Sequence, residues 1–217
     1  MPEMLPASAE ISKRPRGRPR KTVDERDDGN RRQSLLIAAA QLFRRKGFAA
    51  TTTRDIATAA GMQSGSPFYH FKSKDALLVA VMEEGMRSAL ARQHVAVQAP
   101  AFQQATPAER LHRLVRAHFD VLLGPGNDFV PVMLYESRSL NPRQRKGVAA
   151  LIAEYESLWM PVLQALHASG QLRASPPLAR LLILGALNWS VQWFDARKGA
   201  SINTLADAAI SMFIKES

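Results

Sequence analysis

Residues 52–74 read TTRDIATAAGMQSGSPFYHFKSK, and this stretch predicts two short helices joined by a tight turn. Thr52 is a favourable N-cap for the first helix, and Asp55 three residues later completes a capping box. Gly61 supplies the left-handed residue that ends this helix, and Ser64 is the expected cap of the second. Two helices joined by a glycine-containing turn form a helix-turn-helix, whose second helix enters the DNA major groove. The outward positions of that helix carry small or polar groups that suit base edges and phosphates: Gln63, Ser64, Ser66, Tyr69 and His70.

The flanking residues extend this pattern over about residues 33–86, which contain in order LF-x-x-KGF, TT-x-RDIA, AG-x-x-x-GS and YHF-x-SK-x-ALL. This ordered set resembles the N-terminal domain of the TetR family of bacterial one-component regulators. The resemblance implies an all-helical homodimer with a ligand-binding C-terminal domain. The chain departs from the family at Phe68, where members usually have a tyrosine that contacts a phosphate, so that contact is not expected here. The further DNA contacts that the resemblance implies are Thr52, Thr53, Arg54 and Lys74.

The positive charge of the chain is concentrated around the predicted helix-turn-helix. The formal net charge is +10, and residues 31–74 carry eight Lys or Arg and one Asp, a net of +7. Residues 75–217 carry fourteen basic and twelve acidic groups, a net of +2. Lys74 stands at the N-terminus of the next helix, where a cation is unfavourable unless an anion such as phosphate lies close. A positive field at one end of the chain indicates a nucleic-acid partner.

Residues 1–29 are rich in proline and charge and predict a disordered arm. Within it, KRPRGRPRK at residues 13–21 holds six cationic residues. Its core, with Arg16, Arg18 and Arg20, looks like an AT-hook, because a slim Gly-Arg-Pro segment fits narrow A·T-rich minor grooves. The alternative is a nonspecific polybasic tail that raises affinity through counterion release. Both interpretations bring the arm to DNA.

Hydrophobic periodicity predicts an all-α protein of about nine helices. A helix from Asn30 to residue 46 completes a three-helix DNA-binding domain at residues 30–75, and residues 76–217 form a helical ligand-binding and dimerisation domain. Gly124 to Asn127 and Gly170 mark breaks between helices. The helices beyond the helix-turn-helix are expected at residues 74–97, 107–123, 129–139, 142–169, 176–198 and 202–217.

The last two predicted helices are the expected dimer interface. The helix at 176–198 is apolar almost all round, and such a helix must be covered on two sides. In a chain of 217 residues the natural second cover is another copy of the chain. Close approach of two helices would be permitted by the small residues Gly185, Ala206, Ala208 and Ala209. These features predict a homodimer.

Aromatic residues gather in the C-terminal half, which contains all three tryptophans. They line a cavity for a hydrophobic ligand, or they form ordinary core, which is the usual role of an aromatic stripe. Asn188 and Gln192 lie one turn apart among apolar residues and favour the cavity, since a buried amide needs a ligand, a cross-dimer hydrogen bond or a water as partner. The predicted ligand-binding residues are Phe119, Met133, Tyr135, Arg138, Tyr155, Trp159, Asn188, Trp189, Gln192 and Trp193.

Arg143, Arg145 and Lys146 crowd the first turns of the helix at 142–169, where cations oppose the helix dipole unless an anion is near. The neighbouring segment ESRSLNPRQR and the later GALNWSVQWF look like those of a TetR-family branch that senses fatty-acyl or steroid-derived CoA thioesters. A CoA thioester would explain both an apolar cavity and a basic mouth. The alternative is that these cations pair with Glu136 or face solvent.

Composition also bears on chemistry and compartment. The chain has no cysteine, which excludes disulfides and thiolate chemistry. The first thirty residues lack the apolar core of a signal peptide. The longest apolar run, residues 178–194, is interrupted by polar residues and is too short to span a bilayer comfortably. A cytoplasmic protein without a membrane partner is therefore expected.

No phosphate-binding glycine loop, metal-ligand cluster or nucleophile–base pair is visible, and the five histidines are scattered. We therefore expect no enzyme, no catalytic or metal site and no cofactor. The sequence predicts a ligand-responsive transcriptional regulator, a repressor released from a palindromic DNA operator by a small hydrophobic effector, with an acyl-CoA thioester as one candidate. The alternative is a ligand-independent architectural DNA-binding protein that relies on its AT-hook-like arm.

Overall fold

The computed structural model describes residues 23–62, 67–124 and 126–215, and every regular element within them is helical. This confirms the all-α prediction. Short 3-10 turns occur at Ser137–Ser139, Ser190–Gln192 and Ala196–Lys198. The α-helices are α1 (Val23–Lys46), α2 (Thr53–Ala59), α3 (Pro67–His70), α4 (Lys74–Gln98), α5 (Pro100–Gln103), α6 (Pro107–Leu123), α7 (Phe129–Glu136), α8 (Pro142–Ser157), α9 (Met160–Ala168), α10 (Pro176–Trp189) and α11 (Ile202–Phe213).

The N-terminal head is built on the inward stripe of α1. Leu35, Ala39 and Phe43 are buried there against α2 and the first turns of α4. Gly47 has a φ of +82°, which ends α1 in the left-handed conformation. The chain then turns back so that Phe48 packs edge-on against Phe43, with ring centroids 5.4 Å apart. The apolar core of the head is continuous with that of the C-terminal domain, because α1 also packs against α7.

α4 connects this head to the rest of the molecule. Ser73 caps it, its Oγ accepting the Ala76 N–H at 3.1 Å. Near its start α4 packs against α1, and further along it packs against α6, α7 and α8. The predicted boundary between residues 75 and 76 falls in the first turn of this continuous helix, so α4 is shared by the two predicted domains.

The C-terminal domain is a helical bundle around α6. A capping box between Thr106 and Glu109 starts α6, and α9, α10 and α11 pack against it. Ala206 and Ala209 of α11 are buried within this chain, whereas Ala208 is exposed. Two of the three alanines that the sequence suggested for close contact with a partner are thus used for packing inside the chain.

Three helix boundaries differ from the sequence-based expectation. α1 begins at Val23, so residues 23–29 belong to a helix and not to the arm, and Asn30 is not an N-cap. The segment before Asn30 reads VDERDDG, and acidic residues favour the first turns of a helix. The predicted helix at 142–169 is divided into α8 and α9 because Pro161 cannot sit inside a continuous helix, where it would clash with a preceding carbonyl.

The third difference is the end of α10, which stops at Trp189 although a helix to residue 198 was expected. Two 3-10 turns replace its last part, and Asp195 starts the second by accepting the Arg197 N–H at 3.0 Å. An Asp side chain that bonds to the nearby backbone offers an alternative to continued helix. No helix in the described ranges is long and apolar enough to cross a membrane.

Candidate functional site

The beginning of α2 presents polar groups on the surface of the head. Thr52 Oγ1 accepts the Asp55 N–H at 3.1 Å, and Asp55 Oδ2 accepts the Thr52 N–H at 3.0 Å, which completes the predicted capping box. Hydrogen bonds from the Thr52 backbone and hydroxyl lower the pKa of Asp55. Thr52 and Arg54 are exposed and Thr53 is partly exposed. A hydroxyl and a guanidinium therefore face solvent at the N-terminus of α2.

α3 continues this polar surface. Tyr69 is 79% exposed, and its ring meets the edge of His70 at a centroid distance of 5.2 Å. The following residue, Phe71, is buried and carries the Arg32 guanidinium 5.1 Å above its ring. α3 is thus anchored at Phe71 while Tyr69 points outward. The predicted contacts Gln63, Ser64 and Ser66 and the arm residues Arg16, Arg18 and Arg20 lie outside the described residues.

Lys74 has surroundings that differ from those inferred from the sequence. Its Nζ donates hydrogen bonds to the carbonyls of Phe48 and Thr51, both at 2.9 Å, and lies 4.3 Å from the centre of the Phe48 ring. These carbonyls compensate the cation at the start of α4. The argument that Lys74 requires a nearby phosphate was therefore wrong, and its contact with DNA stays a prediction. What the structure shows is that Lys74 fastens the α1–α2 turn to α4.

The same turn is also bound to the C-terminal domain through α7. Glu136, the last residue of α7, accepts the Phe48 N–H at 2.8 Å through Oε1. Asp128, just before α7, forms an ion pair with Arg44 of α1 at 2.8 Å. α7 is therefore tied to the head at both ends, and Phe48 is held by α4 and α7 together.

The other side of α7 borders a cavity of about 40 Å³ that is also walled by α4, α6, α8 and α10. Met133 and Ile152 contribute to its apolar wall. His118, Tyr155 and Asn188 form a polar wall. Three of the ten predicted ligand-binding residues, Met133, Tyr155 and Asn188, thus meet at one cavity.

A chain of hydrogen bonds runs through the polar wall. His118 Nδ1 lies 2.9 Å from the Tyr155 hydroxyl, and His118 Nε2 lies 3.1 Å from Asn188 Oδ1. The Tyr155 hydroxyl is also 3.4 Å from Gln93 Oε1 of α4. Trp159 packs edge-on against the His118 ring at a centroid distance of 5.7 Å. Residues from four helices are therefore joined in one buried polar network.

Burial sets the protonation state of this network. Removal from water lowers the pKa of His118 to about 4, and the hydrogen bond to Asn188 only partly opposes this effect. Burial also raises the pKa of the Tyr155 hydroxyl. At neutral pH both groups are uncharged, so the cavity offers neutral hydrogen-bonding groups.

One amide atom of Gln93 has no hydrogen-bond partner in this network. With Asn188 Oδ1 facing the ring, His118 carries its proton on Nε2, and its Nδ1 accepts from the Tyr155 hydroxyl. Tyr155 then has no second proton for Gln93, and turning the Gln93 amide over lets Gln93 donate to Tyr155. With Oε1 facing Tyr155, Gln93 Nε2 has no protein partner among the described residues, and Trp159 Nε1 likewise has none. Buried groups of this kind favour a ligand that supplies a partner.

Comparison with known protein families finds a match for the N-terminal part and for the C-terminal part of this chain. Residues 104–216 match the family described as "Tetracyclin repressor-like, C-terminal domain", and residues 35–81 match "Bacterial regulatory proteins, tetR family". The chain belongs to the TetR family. It is therefore a DNA-binding transcriptional regulator, and α2 and α3 form its helix-turn-helix.

Individual relatives span nearly the whole molecule. The HTH-type transcriptional repressor KstR2 of Rhodococcus jostii (strain RHA1) is 28% identical over 194 residues, which cover 88% of this chain and 93% of that protein. The structure of the ketosteroid transcriptional regulator KstR2 of Mycobacterium tuberculosis has a TM-score of 0.70 at 25% identity, covering 86% of this chain and 96% of that one. The crystal structure of the superantigen PfiT also has a TM-score of 0.70, at 38% identity, covering 86% and 97%.

In this TetR-family chain the remaining predicted ligand residues lie away from the cavity. Phe119 and Trp159 are buried core positions, although Trp159 touches His118. Trp189 and Trp193 are 65% and 54% exposed. Trp189 projects from the face of α10 opposite to its buried stripe, and the residues after Trp189 leave the helix. Gln192, Tyr135 and Arg138 are also exposed.

The three cations of the predicted basic mouth lie away from the cavity. Arg143, Arg145 and Lys146 are exposed, and Arg145 donates to the Leu140 carbonyl at 3.0 Å. Ile152, the first residue of α8 on the cavity, lies nine residues after Arg143, which is about 13 Å along a helix. The charged groups beside the cavity are instead an ion pair, in which Arg180 Nη1 lies 2.8 Å from Glu156 Oε2.

Sequence reasoning missed the polar residues that complete the site: Gln93, His118, Glu156 and Arg180. His118 lies within the apolar stripe of α6, and Gln93 follows Ala89 by one turn on the buried face of α4. One signal in the sequence could have identified these residues, namely a polar residue at a helix position where the period predicts an apolar one. The same signal identified Asn188. The described residues contain no group of three or more His, Asp or Glu placed to hold a metal ion.

Proposed function

We propose that this TetR-family regulator is a homodimeric repressor, which leaves a palindromic operator when a small hydrophobic effector enters the cavity beside His118. The observation that carries the proposal is the shared position of α7. One side of α7 walls the cavity through Met133, and its two ends are bonded to the DNA-binding head through Asp128 and Glu136. An event at the cavity therefore has a direct mechanical route to the head.

DNA contact is assigned to the exposed polar surface of α2 and α3. Thr52, Arg54 and Tyr69 face solvent on that surface, and in a dimer two such heads read major-groove faces roughly 34–36 Å apart. A regulator that reads chromosomal DNA in a bacterium works in the cytoplasm. The residues proposed to contact the operator are Thr52, Thr53, Arg54, Gln63, Ser64, Ser66, Tyr69, His70 and Lys74.

Dimerisation is assigned mainly to α10. Leu178, Leu181, Leu182 and Trp189 recur at helical spacing on one face and are between 50% and 65% exposed in the single chain. Continuous exposed apolar surface of this kind marks an interaction site. Ala179, Ile183 and Leu187 on the other face are already buried by the chain itself. α10 thus has one face for its own core and one for a partner.

The effector is proposed to be an apolar compound with a carbonyl group, such as a steroid or a fatty-acyl thioester. The methyl and aromatic groups of the cavity suit a hydrocarbon, and a carbonyl oxygen suits the amide N–H groups of Asn188, whose Oδ1 faces His118. The likeness to KstR2, named as a ketosteroid regulator, supports this class.

The size of the cavity explains why binding must change the shape of the molecule. A space of about 40 Å³ holds no more than a few water molecules. An effector enters only if the surrounding helices move apart, so it binds the opened conformation better than the closed one. This difference in affinity is the condition for a ligand to shift a conformational equilibrium. Opening moves α4 and α7, which together hold Phe48 in the α1–α2 turn.

The first test is thermal melting of the purified protein with fatty-acyl-CoA thioesters, free fatty acids and ketosteroids. A ligand at about a hundred times its dissociation constant stabilises the protein by about 2.7 kcal/mol, which gives a clear shift of the melting temperature. The same ligand should release the protein from an operator selected from random duplex DNA. If a ligand raises the melting temperature and leaves operator affinity unchanged, the repressor mechanism is refuted.

A pair of tyrosine variants locates the site. Tyr155→Phe removes the hydroxyl that holds His118, and through it Asn188, in place, and should weaken binding of a carbonyl-containing ligand about two- to tenfold, since one hydrogen bond contributes about 0.5–1.5 kcal/mol. Tyr135→Phe removes the same group from an exposed side chain outside the cavity and should leave the affinity unchanged. Equal effects of the two changes would place the ligand elsewhere.

A further inference from the structure

A second compartment, of about 150 Å³, lies between α1, α4, α7 and the loop before α7. Its lining differs in chemistry from the cavity beside His118. Polar side chains line much of it: Gln33 of α1, Glu84, Ser88 and Arg92 of α4, and Asn127 of the loop. We will call it the outer compartment, and the space beside His118 the inner cavity.

The two spaces share one wall. Ala89, Val121 and Val130 border both the outer compartment and the inner cavity. On α4, Gly85, Ser88 and Arg92 face the outer compartment, and Ala89 stands where that stripe meets the inner face of the helix. Only small or branched apolar side chains separate the spaces, so modest movement of these three joins them into one elongated pocket open to solvent.

We propose that the outer compartment binds the polar, anionic part of the effector, while its apolar carbonyl-containing part occupies the inner cavity. The inference rests on the proposed effector response and narrows the ligand to an amphiphile. Amide and hydroxyl groups at Gln33, Ser88 and Asn127 match a chain with alternating donors and acceptors. Arg92 supplies the cation, and among the described residues it has no ion pair or side-chain hydrogen bond.

Charge balance places the anion towards Arg92 and away from the inner cavity. The inner cavity has neutral His118 and a closed Arg180–Glu156 pair, so a net negative charge would be poorly compensated there. Glu84 bears the opposite charge to Arg92, at a distance of two helical turns along α4, about 12 Å. The anionic group of the effector is therefore expected at the end of the outer compartment that Arg92 lines, and Glu84 lines the opposite end, nearer the head.

A ligand in the outer compartment is in direct contact with the DNA-binding head. Gln33 belongs to α1, the first helix of the head. The compartment cannot deepen between α4 and α7, because Gly85 is already in close contact with Phe129 and Val130. A bound polar group therefore presses α1 away from α4 or α7 away from α4, and either movement disturbs the α1–α2 turn at Phe48.

A covalent label tests this inference even before an effector is known. The chain has no cysteine, so Ser88→Cys creates a unique thiol on an exposed position of α4 in the outer compartment. Reaction with a bulky maleimide fills the compartment and should weaken affinity for the selected operator at least tenfold. Ser157→Cys, at the exposed end of α8, is the matched control and should keep full affinity after labelling. Unchanged affinity of the labelled Ser88→Cys protein would overturn the inference.

A charge variant then tests the ligand chemistry. Arg92→Gln should weaken binding of dodecanoyl-CoA about tenfold, whereas Arg113→Gln, an exposed arginine of α6 outside both spaces, should not. An equal loss with free dodecanoate identifies a carboxylate as the anion, and a loss with the thioester alone identifies the CoA arm. If both ligands bind and Arg92→Gln affects neither, the outer subsite is refuted while the inner cavity stands. If neither ligand binds the unmodified protein, the proposed effector class fails, and the labelling result still decides the subsite.

Discussion

Replacing Gly85 by alanine probes the contact through which α4 and α7 communicate. A Cβ built at Gly85 would lie 2.8 Å from Phe129 Cβ, 3.1 Å from the Phe129 carbonyl carbon and 3.2 Å from Val130 N. Ordinary carbon–carbon contacts are at least about 3.5 Å, so the closest atom is about 0.7 Å too near. Two of the three atoms belong to the backbone of α7 and cannot rotate away. α7 must therefore move as a helix.

The change in the free energy of unfolding caused by Gly85→Ala is the sum of two opposed contributions. Overpacking of this kind costs about 1–3 kcal/mol. Alanine in place of glycine inside a helix contributes about 1 kcal/mol of stability. Gly147 of α8 separates the two contributions, because its nearest neighbour, Glu83 Oε1, would lie at an ordinary 3.8 Å. Gly147→Ala should therefore stabilise by about 1 kcal/mol, and the free energies of unfolding of the two variants should differ by about 1–3 kcal/mol.

Urea unfolding and operator binding, measured on both variants, complete the test. In Gly85→Ala, displacement of α7 strains the Glu136–Phe48 and Asp128–Arg44 contacts, so operator affinity should fall severalfold. Gly147→Ala should bind the operator as the unmodified protein does. If Gly85→Ala is stabilised as much as Gly147→Ala and keeps its operator affinity, α7 does not transmit movement to the head.

Three further predictions address His118, Lys74 and the arm. Because the pKa of folded His118 is lowered to about 4, the unfolded chain takes up a proton below its ordinary pKa of about 6.5, and stability is lost as pH falls from about 6.5 to 4. This group alone should cost about 2 kcal/mol at pH 5, and urea unfolding of His118→Gln should lack that loss. Lys74→Met removes two hydrogen bonds from the α1–α2 turn and should lower the free energy of unfolding by about 1–3 kcal/mol. A residue that only contacts phosphate would leave stability unchanged and reduce only the salt dependence of DNA binding. Deletion of residues 1–22 should preserve operator selectivity and the response to effector in binding assays, and loss of both would favour the architectural alternative.

The helix ends show how far local patterns carry a prediction. The capping box of α2, the starts of α6 and α8 at Pro107 and Pro142, and the break at Gly170 all agree with the sequence-based expectation. Each depends on residues within one or two turns of each other. Pro161 was available as the same kind of signal, and overlooking it merged α8 with α9.

The residues in and around the cavity show which features local sequence patterns cannot predict. Asn188 was found because a polar residue interrupted an apolar helix, and His118 obeyed the same rule on α6. Trp189 and Trp193 were assigned to the ligand on composition, yet they face solvent in the single chain. Composition places aromatic residues in a domain, but the direction of each side chain depends on where its helix ends.

The sequence by itself determined the helical class, the helix-turn-helix and the family, because caps, glycine turns and a 3.6-residue period are local properties of the chain. Only the tertiary structure decided which polar groups share a cavity and what Lys74 holds. His118 lies 37 residues from Tyr155 and 70 from Asn188, and Glu136 lies 88 residues from Phe48. Contacts between residues so far apart depend on the packing angles of whole helices, which no short stretch of sequence encodes.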